Sequence, residues 1–122
     1  MTTTWKMTAA AVLALLGSAA ADAATLVSPP LVAEGGNVLD CYLVNVGDKP
    51  RRVLIEAISK EGKVVQSVPT TLEPGQEDVA RADPNDLPRY CRFTVSGPRA
   101  DFRASILVRQ DGVGAISALP AQ

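Results

Sequence analysis

Apolar and polar residues alternate with a period of two along several short stretches of this chain, most cleanly in its last third. In 89–96 (RYCRFTVS), Cys91, Phe93 and Val95 fall on one face, and Tyr90, Arg92, Thr94 and Ser96 on the other. In 102–109 (FRASILVR), Phe102, Ala104, Ile106 and Val108 share a face opposed by Arg103, Ser105, Leu107 and Arg109. Such alternation predicts half-buried antiparallel strands. Gly97-Pro98 marks the turn between them, Asp111-Gly112 is a hairpin signal, and 113–119 (VGAISAL) predicts a last strand.

The middle of the chain is less regular. Residues 38–46 (VLDCYLVNV) are apolar on both faces, with Leu39, Cys41 and Leu43 expected inward. In 51–59 (RRVLIEAIS), Val53, Ile55 and Ala57 alternate; a helix capped by Asp48 is the competing reading, and the β-branched content favours a strand. Glu61-Gly62-Lys63 turns into a strand over 63–68, and Thr71-Leu72-Glu73-Pro74-Gly75 turns into another over 76–82. Residues 25–33 (TLVSPPLVA) predict an opening strand interrupted by Pro29-Pro30, which confines it to an edge. Short β-prone runs separated by frequent Gly and Pro predict an all-β antiparallel sandwich of seven to nine strands.

The first residues have a different character. Lys6 precedes an apolar run from Met7 to Leu16, which Gly17-Ser18 ends, and small residues follow up to Ala23. This is the layout of a secretory signal peptide, with cleavage expected after Ala23 or, two residues earlier, after Ala21. The run is too short for a membrane anchor, which needs about 20 apolar residues. Removing residues 1–23 of 122 leaves one domain, 24–122, of 99 residues. Its expected location is outside the cytoplasm, periplasmic or extracellular, with no stable membrane insertion after cleavage.

Export changes the reading of Cys41 and Cys91. Disulfides persist in oxidising compartments, and the two cysteines of the chain admit one intrachain pairing, Cys41–Cys91. No C-x-x-C redox motif is present.

The order of motifs carries a resemblance. Cys41, Asn45-Val46-Gly47, an alternating strand, Gly62, Leu72-x-Pro74-Gly75 and Cys91-Arg92-Phe93 resemble the pattern of bacterial extracellular immunoglobulin-like modules. More closely, the order is similar to that of small secreted bacterial proteins of an uncharacterised family. The resemblance implies an immunoglobulin-like β-sandwich in which the disulfide joins the two sheets. It implies no catalytic residue, because such families are defined by their scaffold. The chain departs from antibody domains in that no Trp of the mature part packs on the bridge.

Composition excludes several chemistries. There is no His, which removes Ser-His and Cys-His nucleophile pairs and His-ligated metals. Ser59, Ser67, Ser96 and Ser105 lack such a base, and no phosphate-binding glycine loop is present. No enzyme is expected. With 12 Lys+Arg against 13 Asp+Glu, the net charge of −1 does not suit a nucleic-acid binder. Asp83, Asn85 and Asp86 in 83–88 (DPNDLP), near Glu73, Glu77 and Asp78, offer oxygens to calcium, but the spacing reads as an ordinary Asx-rich turn. No metal or cofactor is expected.

Arginine is concentrated late, at Arg81, Arg89, Arg92, Arg99, Arg103 and Arg109. With Cys91 and Phe102 inward, Arg92, Arg103 and Arg109 point outward on strands expected to be neighbours. They form either a basic stripe that contacts a partner or a solvated sheet face, with Glu56 and Asp101 placed to neutralise it. The functional expectation is an exported, non-catalytic binding module for an unknown protein or glycan, monomeric or weakly oligomeric. The alternative is a structural subunit joined to others through edge strands such as 113–119. Self-association separates the two.

Overall fold

The computed structural model describes residues 23–32, 37–110 and, for the backbone alone, 114–120. The expected leader and the Asp111-Gly112 turn lie outside the described residues. Among the described residues the chain forms eight strands: β1 (Ala23–Val27), β2 (Val38–Asn45), β3 (Arg51–Ser59), β4 (Val64–Leu72), β5 (Glu77–Ala82), β6 (Pro88–Ser96), β7 (Phe102–Gln110) and β8 (Gly114–Pro120). They build two antiparallel sheets, sheet I in the order β1-β6-β3-β4 and sheet II in the order β5-β2-β7-β8. The fold is the expected all-β sandwich.

Local patterning explains most of the elements. Val53, Ile55 and Ala57 are buried on one face of β3, which pairs with β4 and β6, so 51–59 is a strand and not a helix. In β6 and β7 the inward sets Cys91, Phe93, Val95 and Phe102, Ala104, Ile106, Val108 all lie in the core, as do Leu39, Cys41 and Leu43 of β2. β4 runs on through Pro69 to Leu72, further than the 63–68 expected. Proline is tolerated there because β4 is an edge strand, whose outer N–H positions have no partner to lose. β1 also lies at an edge and stops before Pro29-Pro30, after which Leu31 N–H donates to the Arg89 carbonyl at 2.7 Å and keeps the chain beside β6.

Cys41 in β2 and Cys91 in β6 form the disulfide across the two sheets, with Cα atoms 5.7 Å apart. Sheets packed face to face normally stand about 10 Å apart, so they approach each other at the bridge. The register supplies the room: Ala80 lies beside Cys41 and Ala57 beside Cys91, both fully buried. Ser28 holds the Cys91 backbone from the edge, since its Oγ accepts from Cys91 N–H at 2.8 Å and its own N–H donates to the Cys91 carbonyl at 3.0 Å.

The connections from β2 to β3, β4 to β5 and β5 to β6 cross between the sheets. The β6–β7 connection crosses as well, so β7 lies beside β2 and not beside β6. Gly97, at φ 134°, and the short 3-10 turn Arg99–Asp101 carry the chain over the end of the sandwich.

The three crossing loops at this end are tied to one another through Asn45 and Asp101. Its Nδ2 donates to the carbonyls of Lys49 (2.8 Å) and Leu72 (2.9 Å), while its Oδ1 accepts from Gly47 N–H at 3.0 Å. Its backbone exchanges hydrogen bonds with Gln76 and Gly75. Asp101 joins the third loop, accepting from Val46 N–H through its carbonyl at 2.8 Å and from Arg51 Nη2 through its carboxylate at 2.9 Å. A fully buried amide with all its donors and acceptor engaged fixes this end of the molecule.

Candidate binding face

The alternation that sends Leu39, Cys41 and Leu43 inward sends Val38, Asp40, Tyr42 and Val44 to the outer face of sheet II. The register places Arg81 of β5 on one side of Asp40 and Leu107 of β7 on the other; Val79 and Ser105 flank Tyr42, and Arg109 flanks Val38. Val38, Tyr42, Val44, Val79 and Leu107 are all half-buried. This outer face therefore sets the aliphatic Val38, Val44, Val79 and Leu107 and the Tyr42 ring among charged residues, with Asp40 at its centre and Glu77 and Arg103 towards one end.

Asp40 is the unusual member. It stands on an outward-facing position, yet its side chain has no exposed area. Its two oxygens each accept a charge-assisted hydrogen bond, Oδ1 from Arg81 Nε at 2.9 Å and Oδ2 from Arg109 Nε at 3.1 Å. Burying a carboxylate is costly unless it is paired, and the two arginines supply that pairing. They differ in exposure: the Arg81 side chain is 52% accessible and that of Arg109 24%. The Arg81 guanidinium is held above its ordinary range, first by the hydrogen bond it donates to Asp40 and then by the charge of Asp40, with the Tyr42 phenol beside it adding to the shift.

The three expected arginines do not share one face. Arg103 and Arg109 lie on the outer face of sheet II, whereas Arg92 lies on the outer face of sheet I, on the far side of the sandwich. The expectation of a single stripe assumed that β6 and β7 are neighbours, and the crossing after β6 separates them. Arg92 pairs in register with Glu56 of β3, its Nε donating to Glu56 Oε1 at 2.9 Å, and this bond holds its guanidinium above the ordinary range. Arg103 folds back on its own strand start, where Nη1 donates to the carbonyls of Phe102 (2.8 Å) and Ala100 (3.2 Å).

Arg81, Asp40 and Tyr42 were not expected as a site. The outward set of β2 can be read from its alternation, but the register that sets Arg81 against Asp40 is invisible in a linear sequence.

In the Asx-rich loop, Asp83 caps the 3-10 turn Pro84–Asp86 by accepting from Asn85 N–H at 2.9 Å. Among the described residues, no group of three or more acidic or cysteine side chains gathers as metal ligands would. No described helix is long and apolar enough to cross a membrane.

No family model matches this chain, and no curated protein matches it. Among solved structures it is similar to Thermotoga maritima 1070, with a TM-score of 0.49, 10% identity, and 79% of this chain and 90% of that one covered. It is also similar to the Anabaena sensory rhodopsin transducer, with a TM-score of 0.38, 12% identity and coverage of 72% and 92%. The likeness to infectious bursal disease virus, Gt strain, has a TM-score of 0.34 and 13% identity, and covers 81% of this chain and 27% of that one. Likenesses this distant do not bear on function.

Proposed function

We propose that this protein is an exported, non-catalytic binding module of the small secreted immunoglobulin-like kind, and that it meets its ligand with the outer face of sheet II. One observation carries the reading: a sealed Asp40 orients two guanidiniums on a face that also presents the half-buried Val38, Val44, Val79, Leu107 and Tyr42. Tyr and Arg set among apolar neighbours are the composition of binding hot spots. Export is supported by the leader-like first residues and by the buried Cys41–Cys91 bridge.

The sheet edges favour a discrete module over a polymer. β4 carries Pro69, Pro29-Pro30 follow β1, and β5 is short and carries Glu77, Asp78 and Arg81. Prolines and charges of this sort block edge-to-edge pairing. A second reading, a structural subunit joined through β8, draws on the uncharged sequence of that edge strand, Gly114–Pro120.

Site-directed photo-crosslinking in the producing cell tests the proposal. A photoreactive residue at Leu107, on the sheet II face, is expected to capture a partner, and the same residue at Leu54, on the outer face of sheet I, is not. Capture from Leu54 alone would overturn the assignment of the face, and self-adducts through β8 positions alone would establish the second reading.

A further inference from the structure

We infer that Arg81 is the anchor of this face and that it receives a carboxylate side chain of a protein partner, set among apolar residues of that partner. The inference rests on the binding-module reading and adds the chemistry of the ligand.

A guanidinium presents five donors in a planar fork. Arg81 meets Asp40 through Nε alone, so the ion pair fixes the plane of the group while leaving the two η nitrogens outside it. Half of the side chain is accessible. An arginine held by a buried acid at one edge and open at the other is already oriented for bidentate recognition of a second oxyanion, and little rotamer entropy remains to be lost on binding. Tyr42 stands beside it with a phenolic hydroxyl that can donate to the same group.

The surroundings select among anions. The outer face of sheet II bears Arg81, Arg103 and Arg109 against Asp40 and Glu77, so positive charge exceeds negative by one. Nucleic acid and anionic lipid surfaces are held by many cations at once, and this face does not offer them. Val79 on its own strand and Val38 and Tyr42 on β2 instead flank the arginine with half-buried surface, which Leu107 extends beyond Asp40. That surface matches apolar protein side chains, and burying it would exclude water from around the arginine and so strengthen the charged contact.

The test uses the exported protein as purified, with backbone amide resonances followed by NMR. Four probes are titrated: a short extended peptide of alternating glutamate and valine, its glutamine counterpart, inorganic phosphate, and oligogalacturonate as a carboxylate-bearing glycan. The inference expects the glutamate peptide to shift resonances of β2, β5 and β7, with the glutamine peptide and phosphate each about tenfold weaker. Arg81→Gln should weaken the glutamate peptide about tenfold, and Arg81→Lys, which keeps the charge and loses the fork, should fall between. Arg109 still pairs Asp40 in both variants, and an otherwise unchanged spectrum reports that they are folded.

Equal or tighter binding of phosphate or oligogalacturonate would overturn the inference, as would a glutamate-peptide affinity indifferent to Arg81→Gln. Shifts confined to sheet I or to the loops would remove Arg81 as anchor but leave a binding module. Silence from all four probes would remove the carboxylate chemistry, while photo-crosslinking at Leu107 would still decide the module reading on its own.

Discussion

Asp40 and Arg109 stand 69 positions apart in the chain, yet Arg109 Nε donates to Asp40 Oδ2 at 3.1 Å. They meet because β7 crosses from the end of β6 to lie beside β2, which together with the pairing of β5 on the other side of β2 assembles the outer face of sheet II. The sealed acid and its exposed partner should respond differently to mutation. Asp40→Asn leaves two neighbouring guanidiniums without their counter-charge and is expected to cost about 2 kcal/mol in urea unfolding. Arg81→Gln removes a half-exposed partner while Arg109 remains, and should cost under about 1 kcal/mol. The Asp40–Arg81 coupling also has a sign in pH. The Arg81 pKa is raised in the folded state, so its contribution is fully present below the ordinary guanidinium range and is lost only as pH climbs through the raised value. A double-mutant cycle should therefore return the same coupling at neutral and at moderately alkaline pH; an inverted order of costs or an early alkaline loss would contradict this geometry.

The Cys41–Cys91 bridge closes a long loop, with a sequence separation of 50 residues. Replacing both cysteines by alanine is expected to lower the unfolding free energy by about 4 kcal/mol. Guanidinium unfolding of the variant against the oxidised parent measures it, and a loss below about 1 kcal/mol would show that the bridge adds little to the buried core around it.

Asn45→Ala should be among the most damaging polar substitutions. It leaves the Lys49 and Leu72 carbonyls and the Gly47 N–H without their partner at a buried site. An expected cost of about 3 kcal/mol follows from orphaning such groups. Hydrogen exchange should quicken together in the loops at 46–50 and 73–76, whereas quickening in one loop alone would contradict a shared anchor.

Gly47 makes a different kind of contact. A Cβ at that position would lie 2.7 Å from Asp101 Cγ, whose carboxylate is held by Arg51. Gly47→Ala must displace that carboxylate and is expected to cost about 1–2 kcal/mol. Against an Asp101→Ala background the carboxylate is gone and only the Cβ, 3.0 Å away, remains, so the two costs should be less than additive. Simple additivity would mean that the close approach is not what glycine serves there.

Much of the fold could be read from the sequence because it is written locally. Cys91-Phe93-Val95 and Phe102-Ala104-Ile106-Val108 alternate, so each strand declares its buried face, and Val53-Ile55-Ala57 settles β3 as a strand despite its helical alternative. The passage of β4 through Pro69 was missed because proline ends a strand only when its N–H is needed, and edge position is a property of the sheet. The binding face was half legible for a related reason. Arg103 and Arg109 show themselves as outward residues, but Arg92 was grouped with them on the assumption that consecutive strands pair. Nothing in 38–46 singles out Asp40; its burial comes from Arg81 and Arg109, which pairing register alone brings to it.

The account depends most on β7 lying against β2. Cross-strand proton contacts in the nuclear Overhauser spectrum of the protein test this directly. The structure predicts contacts linking Asp40 with Leu107 and Leu43 with Ala104. A ladder of contacts between β6 and β7 in their place would restore a simple hairpin, separate Arg109 from Asp40, and contradict the face on which the proposed function rests.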